Sequence, residues 1–272
     1  MSKKIFENWE LDFIKKNYNN MTYNEIALII NNNNTIKKNE KQIRNKARSM
    51  GLLKTNQTII KDFFNIINSE KKAYWMGFIF ADGYIVTTER NAEVSIELGI
   101  KDIGHLEKLN KDINANVKVT RKTKKSGEIN GVYLKERELC SIRLYSKQLA
   151  NDLINNNVVN NKTKSDLFPK LEDRSLFLHF LRGFLDGDGC ICYCGKTLVV
   201  KFTNYNDKFL KYVKDRLEND FGVKCALYKE NNFKYNLNIN GSNKDKIKFL
   251  DLIYKDSNIF LERKYQIYKN AV

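Results

Sequence analysis

Apolar positions near the start of the chain recur at helical spacing. In "NWELDFIKKNY", Trp9, Phe13 and Ile14 share a face, with Leu11 and Tyr18 alongside. In "TYNEIALIIN", Thr22 followed three residues later by Glu25 forms a capping-box pattern, and Ile26, Ile29 and Ile30 make the apolar side. A polar loop follows. "EKQIRNKARSMGL" then turns Ile43, Ala47 and Met50 inward and stops on Gly51, a residue suited to a left-handed C-cap. These spacings predict a small all-α module over 1–55. The next stretch, 56–72, reads as part linker and part helix.

From Ala73 the period alternates. A helix is followed by the strands "GYIVTTER" and "AEVSIELGI", the helix "DIGHLEKLNKDIN", the strands "VKVTRKTKK" and "LCSIRLYS", and the helix "KQLANDLINNNV". After Gly189 the order repeats: "GCICYCG", "TLVVKFTN", the helix "NDKFLKYVKDRLENDF", "KCALYKE", "KYNLNING" and the helix "KDKIKFLDLIY". The same order twice is an internal duplication. The expected fold is α+β, two αββαββα halves at 73–170 and 171–272 behind the helical module.

The leading helices of the halves, "AYWMGFIFADGYI" and "HFLRGFLDGDGCI", match without a gap. Gly77 and Gly183, Asp82 and Asp188, and Gly83 and Gly189 all lie 106 residues apart. Small residues recur every fourth position: Ala73, Gly77 and Ala81 in one, Gly183 and Gly187 in the other, with His179 breaking the second stripe. A mid-helix glycine costs about 1 kcal/mol relative to alanine, a cost that makes sense where two helix backbones touch. The helices are expected to pair on these stripes about an approximate two-fold axis. Each ends in Asp-Gly. A carboxylate there opposes the helix dipole by about 0.3–1 kcal/mol, and pairing the helices brings the two acids together. A hard divalent cation with oxygen ligands relieves both conflicts, and two carboxylates holding Mg²⁺ suit phosphodiester hydrolysis.

The formal charge of +16 points to a polyanionic partner, above all nucleic acid. The helical module shares this excess, and Lys41, Arg44, Lys46 and Arg48 lie on its third helix, so a helix-turn-helix unit reading DNA is expected there. No stretch reads as a signal peptide or membrane span, so an intracellular protein is expected, cytoplasmic or organellar. The five cysteines read as reduced thiols. Cys190, Cys192 and Cys194 alternate, sharing one strand face with no CxxC pair or nearby histidine to complete a zinc set.

"WMGFIFADG" and "LRGFLDGDG" resemble the two motif copies of the LAGLIDADG homing endonucleases, over roughly Ala73 to the C-terminus. The resemblance implies a monomer whose two curved antiparallel sheets form a saddle on double-stranded DNA, with no small-molecule substrate. It implies Mg²⁺ at the eighth-position acids Asp82 and Asp188, with Ala81 and Gly187 beside them, and cleavage that leaves short 3′ overhangs. Phe80 and Asp186 differ at the sixth position, which is not the metal-binding one. By position, the basic residues near the scissile phosphates are Lys162 and Lys264, which would polarise the attacking water or stabilise developing charge.

Strand alternation nominates base readers: Thr88, Arg90, Arg121 and Arg143 (with Tyr145) in the first half, and Lys201, Thr203, Asn236, Asn238 and Asn240 in the second. Ordinary half-exposed strand polarity is the competing account of each. Only His105 and His179 exist, too few for a ββα-metal nuclease, and "ERK" at 262–264 has no well-spaced upstream acid for a restriction-type site. Without a terminal His-Asn, and beginning Met-Ser, the chain does not read as an intein. An intron maturase or a non-cutting DNA-binding regulator is the alternative on the same fold; retention of both motif acids favours the enzyme.

Overall fold

The N-terminal periodicity becomes three ten-residue helices, α1 (Asn8–Asn17), α2 (Tyr23–Asn32) and α3 (Glu40–Ser49). The computed structural model describes residues 6–18, 21–34, 36–52, 58–89, 91–129, 132–159, 166–231 and 234–272. Two compact units result: residues 1–57 with 88–91, and 58–87 with 92–272.

In the helical unit, Ile14, Ile26, Ala27, Ile30, Ile43 and Ala47 form the core. The capping box at Thr22 and Glu25 is made, and a second one joins Asn39 and Gln42 at the start of α3. Gly51 takes φ +73°, and the Leu52 N–H returns 2.8 Å to the Ala47 carbonyl, closing α3 in a left-handed cap. Trp9 departs from the expected face. It is 38% exposed and donates its indole N–H to Glu7, while α1 buries Glu10 beside Ile14. The Glu10 carboxylate meets the buried Lys38 ammonium at 2.6 Å and accepts from Asn34 at 2.8 Å. A charge made tolerable by a partner 28 residues away leaves no trace in apolar spacing.

The second unit begins at Thr58, within the stretch read as a linker. The Ile60 N–H donates to the Ile113 carbonyl, and Phe63 and Phe64 enter the core. The first half then runs α4 (Glu70–Asp82), β1 (Gly83–Thr87), β2 (Ala92–Gly99), a 3-10 turn, α5 (Ile103–Asp112), β3 (Thr120–Lys124), a small hairpin of β4 (Gly127–Ile129) and β5 (Val132–Leu134), β6 (Arg137–Tyr145) and α6 (Lys147–Asn155). The second half runs α7 (Arg174–Asp188), β7 (Cys190–Cys194), β8 (Thr197–Asn204), α8 (Asp207–Phe221), β9 (Cys225–Lys229), β10 (Tyr235–Ile239), α9 (Asn243–Tyr254) and α10 (Glu262–Ala271).

Both halves make a four-stranded antiparallel sheet of the same topology, β1-β2-β6-β3 and β7-β8-β10-β9. Alternation sends Val94, Ile96, Ile142 and Leu144 of the first sheet, and Leu198, Val200, Phe202 and Leu237 of the second, into one core with α4 and α7. The mixed α+β architecture is as the sequence predicts; the β4–β5 hairpin and α10 are additions. No helix among the described residues is long and apolar enough to cross a membrane.

Candidate active site at the paired helix ends

Helices α4 and α7 touch where their glycines fall. A Cβ built on Gly77 would lie 2.0 Å from the Phe180 carbonyl oxygen, and one on Gly183 would lie 2.0 Å from that of Tyr74. The contact is reciprocal: each glycine meets the residue three positions before its counterpart, the signature of a local two-fold relation. Nearer the acids, a Cβ on Gly187 would meet the Ala81 Cβ at 2.3 Å and the Asp82 Oδ2 at 3.1 Å. The small-residue stripe therefore sets how close the two C-terminal ends come.

Gly83 and Gly189 stop the two helices in an extended conformation, with φ −79° and −84°. Their reason is space. A Cβ at either would stand 2.5–2.6 Å from the carbonyl oxygen of Ile79 or Leu185, because each helix runs straight into the first strand of its sheet. Asp82 and Asp188 are thus the last helical residues, Asp82 half-buried and Asp188 exposed.

Lys264, on the first turn of α10, reaches this end from beneath. It is 3% exposed. Its ammonium donates to the carbonyls of Leu185, Asp186, Gly187 and Gly189 at 2.6, 2.7, 3.3 and 2.7 Å. Burial pushes its pKa down to about 8, against the opposing charges of Asp186 and Asp82. Lys162 lies outside the described residues.

Two residues before Asp188, Asp186 is fully buried. It accepts from the Tyr254 hydroxyl at 2.5 Å, the Tyr74 hydroxyl at 2.8 Å and the Leu261 N–H at 2.8 Å. Burial raises its pKa while the Lys264 charge pulls it back. The Tyr74 oxygen in turn lies 3.0 Å from His105 Nε2. Because that hydroxyl donates to Asp186, His105 is the donor to it. Burial pushes the His105 pKa down to about 3, helped by the Lys108 and Arg263 charges, so the ring is neutral.

At the far end of the pair, His179 interrupts the stripe and is half-buried. Buried Arg182 bonds its Nδ1 at 3.1 Å, Glu70 at 2.7 Å, and the carbonyls of Ile253 and Ile259. Glu70 also accepts from Asn258. Sequence spacing singled out His179 but not Arg182, Glu70 or Asn258. An arginine inside an otherwise apolar motif helix was the available signal.

Strand register sorts the nominated readers. Arg143 pairs with Ser95 and projects from the sheet face opposite the core, 3.8 Å from Glu93. Arg121 does not join it. Its cross-strand partner is the core residue Cys140, so on this edge strand it points to the helix-covered side, while Thr120, Lys122 and Lys124 share the Arg143 face. Thr88 lies beyond the end of β1, its N–H bonded to the Asn91 carbonyl at 2.7 Å, and Arg90 lies outside the described residues.

In the second sheet, Cys190, Lys201 and Asn238 share one cross-strand row, and Thr203 pairs with Asn236, all opposite the core face. Asn236 is already engaged, accepting from Thr203 and donating to Glu230. Asn240 is exposed past the end of β10. Cys190, Cys192 and Cys194 share that face, with the first two sulfurs 3.5 Å apart. In the helical unit, Arg44 and Arg48 are exposed on α3, and Lys46 is half-buried over the Phe6 ring.

Among the described residues, no three His, Cys, Asp or Glu side chains group around one metal position. A cation at the helix ends would draw on the two carboxylates and on backbone or solvent oxygens. An all-oxygen set of this kind suits a hard divalent ion.

Residues 176–254 match the family model of a LAGLIDADG-like domain. No curated protein matches the chain. Among solved structures, I-DmoI in complex with DNA and calcium is 17% identical over 74% of this chain and 93% of that one, with a TM-score of 0.44. Mesophilic variants of the homing endonuclease I-DmoI are 16% identical over 78% of this chain and 100% of theirs, at 0.47. The N-terminal LAGLIDADG domain of DUF199/WhiA is 20% identical over 76% of this chain and 93% of its own, at 0.47. The stretch that matches runs from α7 to α9 of the second half, and the first half repeats its order of helices and strands.

Proposed function

We propose that the chain is a site-specific endonuclease of double-stranded DNA, dependent on a divalent cation such as Mg²⁺. One observation carries this reading: two carboxylates, each opposing the dipole of the helix it ends, are delivered to neighbouring ends by a glycine contact that admits no larger residue. Asp82 and Asp188 would hold the cation, with the carbonyls of Ala81 and Gly187 beside them. When bound, it would supply charge neutralisation at the scissile phosphate and a more acidic water.

The protein's own part is positional. The paired helices fix the carboxylates, and the sheet faces away from the core offer Arg143, Lys201 and Asn238 toward base edges. Exposed lysines and arginines would bind phosphates and set the register on the duplex. Both acids come from one chain, so a monomer suffices to cut both strands, leaving short 3′ overhangs. The α1–α3 unit would add contact along the DNA by tethering.

The test is selection from a randomised duplex library with Mg²⁺, comparing the wild type with Asp188→Asn. Enrichment of a cut site by the wild type alone is the expected outcome. Sequence-specific binding without cutting would leave a DNA-binding regulator, and RNA-dependent splicing a maturase.

A further inference from the structure

Lys264 places a charge in a buried position and spends it on backbone. Three of its four acceptors, the carbonyls of Leu185, Asp186 and Gly187, belong to the last turn of α7, where helix carbonyls run out of intrahelical partners; the Leu185 oxygen also accepts the Gly189 N–H at 3.0 Å. The fourth, Gly189, is the residue that starts the turn into β7. A cation at a helix C-terminus is also favoured by the dipole. The segment that presents Lys264 is itself pinned to α7 by the Leu261 N–H on Asp186 and by Arg182 on the Ile259 carbonyl. With its donors spent on these carbonyls, the ammonium has no N–H left to orient a reacting water.

We infer that Lys264 is a positioning residue: it fixes the last turn of α7, and through that turn the carboxylate of Asp188. The link to a bound cation rests on the endonuclease reading above; the effect on the turn does not.

The test compares wild type, Lys264→Met and Lys264→Arg on the full chain. Without metal, hydrogen exchange is read over residues 185–192. Separately, Tb³⁺ luminescence reports cation affinity without turnover. Lys264→Met is expected to speed exchange in that segment by about tenfold or more relative to the rest of the chain. Its Tb³⁺ affinity is expected to fall about 10–100-fold, as for residues that orient metal ligands. Lys264→Arg, still able to donate to carbonyls, is expected to recover most of both. Should Lys264→Met not fold, Lys264→Gln, which keeps two donors, is read in the same way. Wild-type exchange and wild-type Tb³⁺ affinity in a variant that has lost only cleavage would overturn the inference and return Lys264 to the reacting water. If Asp188→Asn binds Tb³⁺ as well as wild type, the metal reading fails instead, and the exchange measurement still decides the role of Lys264.

Discussion

At the scale of single residues, the candidate site turns on charges held where they are individually unfavourable. Asp82→Asn or Asp188→Asn is expected to lower cleavage about a thousandfold, the rate equivalent of ~4 kcal/mol of lost charge stabilisation, while duplex binding persists in gel-shift assays. His105 gives a pH signature. Its folded pKa, about 3, lies below the ordinary 6.5, chiefly through burial. The unfolded chain therefore binds the extra proton. The stability His105 contributes is complete above about pH 6.5 and is lost as pH falls from there toward 3, at up to ~1.4 kcal/mol per pH unit. Asp186, whose folded pKa is raised, has the opposite sign: its share is lost as pH rises above the ordinary carboxylate value. Thermal melts of wild type and His105→Asn between pH 4 and 7 separate the two, and the variant is expected to lose the histidine's part of the slope. An equal slope in both would show that the ring does not titrate on unfolding.

At the scale of elements, the α4–α7 pair was the most legible part of the chain, because a gap-free offset of 106 residues and a four-residue glycine rhythm are visible without structure. Gly183→Ala puts a methyl group against the Tyr74 carbonyl, where neither backbone can yield. A loss of about 3 kcal/mol in urea unfolding is expected, at the upper end of overpacking costs. Gly104→Ala, with nothing within 4 Å of its Cβ, is the matched control. What stayed illegible shares one cause: dependence on a partner distant in sequence. Strand β3 could be read as a strand, yet which of Thr120 and Arg121 faces the core is decided by its register with β6. The sequence "ERKYQIYKNA" has the apolar spacing of α10, with Tyr265 and Tyr268 three apart, but its use as a support under α7 rests on carbonyls some 75 residues earlier.

At the scale of the molecule, the described chain divides at 57/58 on the N-terminal side, so a truncation starting at Thr58 is the informative one. It is expected to keep the melting transition of the two-sheet unit and to bind target duplex more weakly, with a shallower dependence on salt because fewer phosphates are neutralised. Full-length affinity in the truncated protein would remove the helical unit from DNA recognition. The Tyr74–Asp186 bond bears on descent. Add 106 to Tyr74 and the counterpart is Phe180; subtract it from Asp186 and the counterpart is Phe80. A symmetric pair of first halves would bury two tyrosine hydroxyls with no acid between them, and a pair of second halves two acids facing phenyl rings. The two copies have become complementary, so a homodimer of either half alone would lack the Tyr74–Asp186 bond that ties α4 to α7.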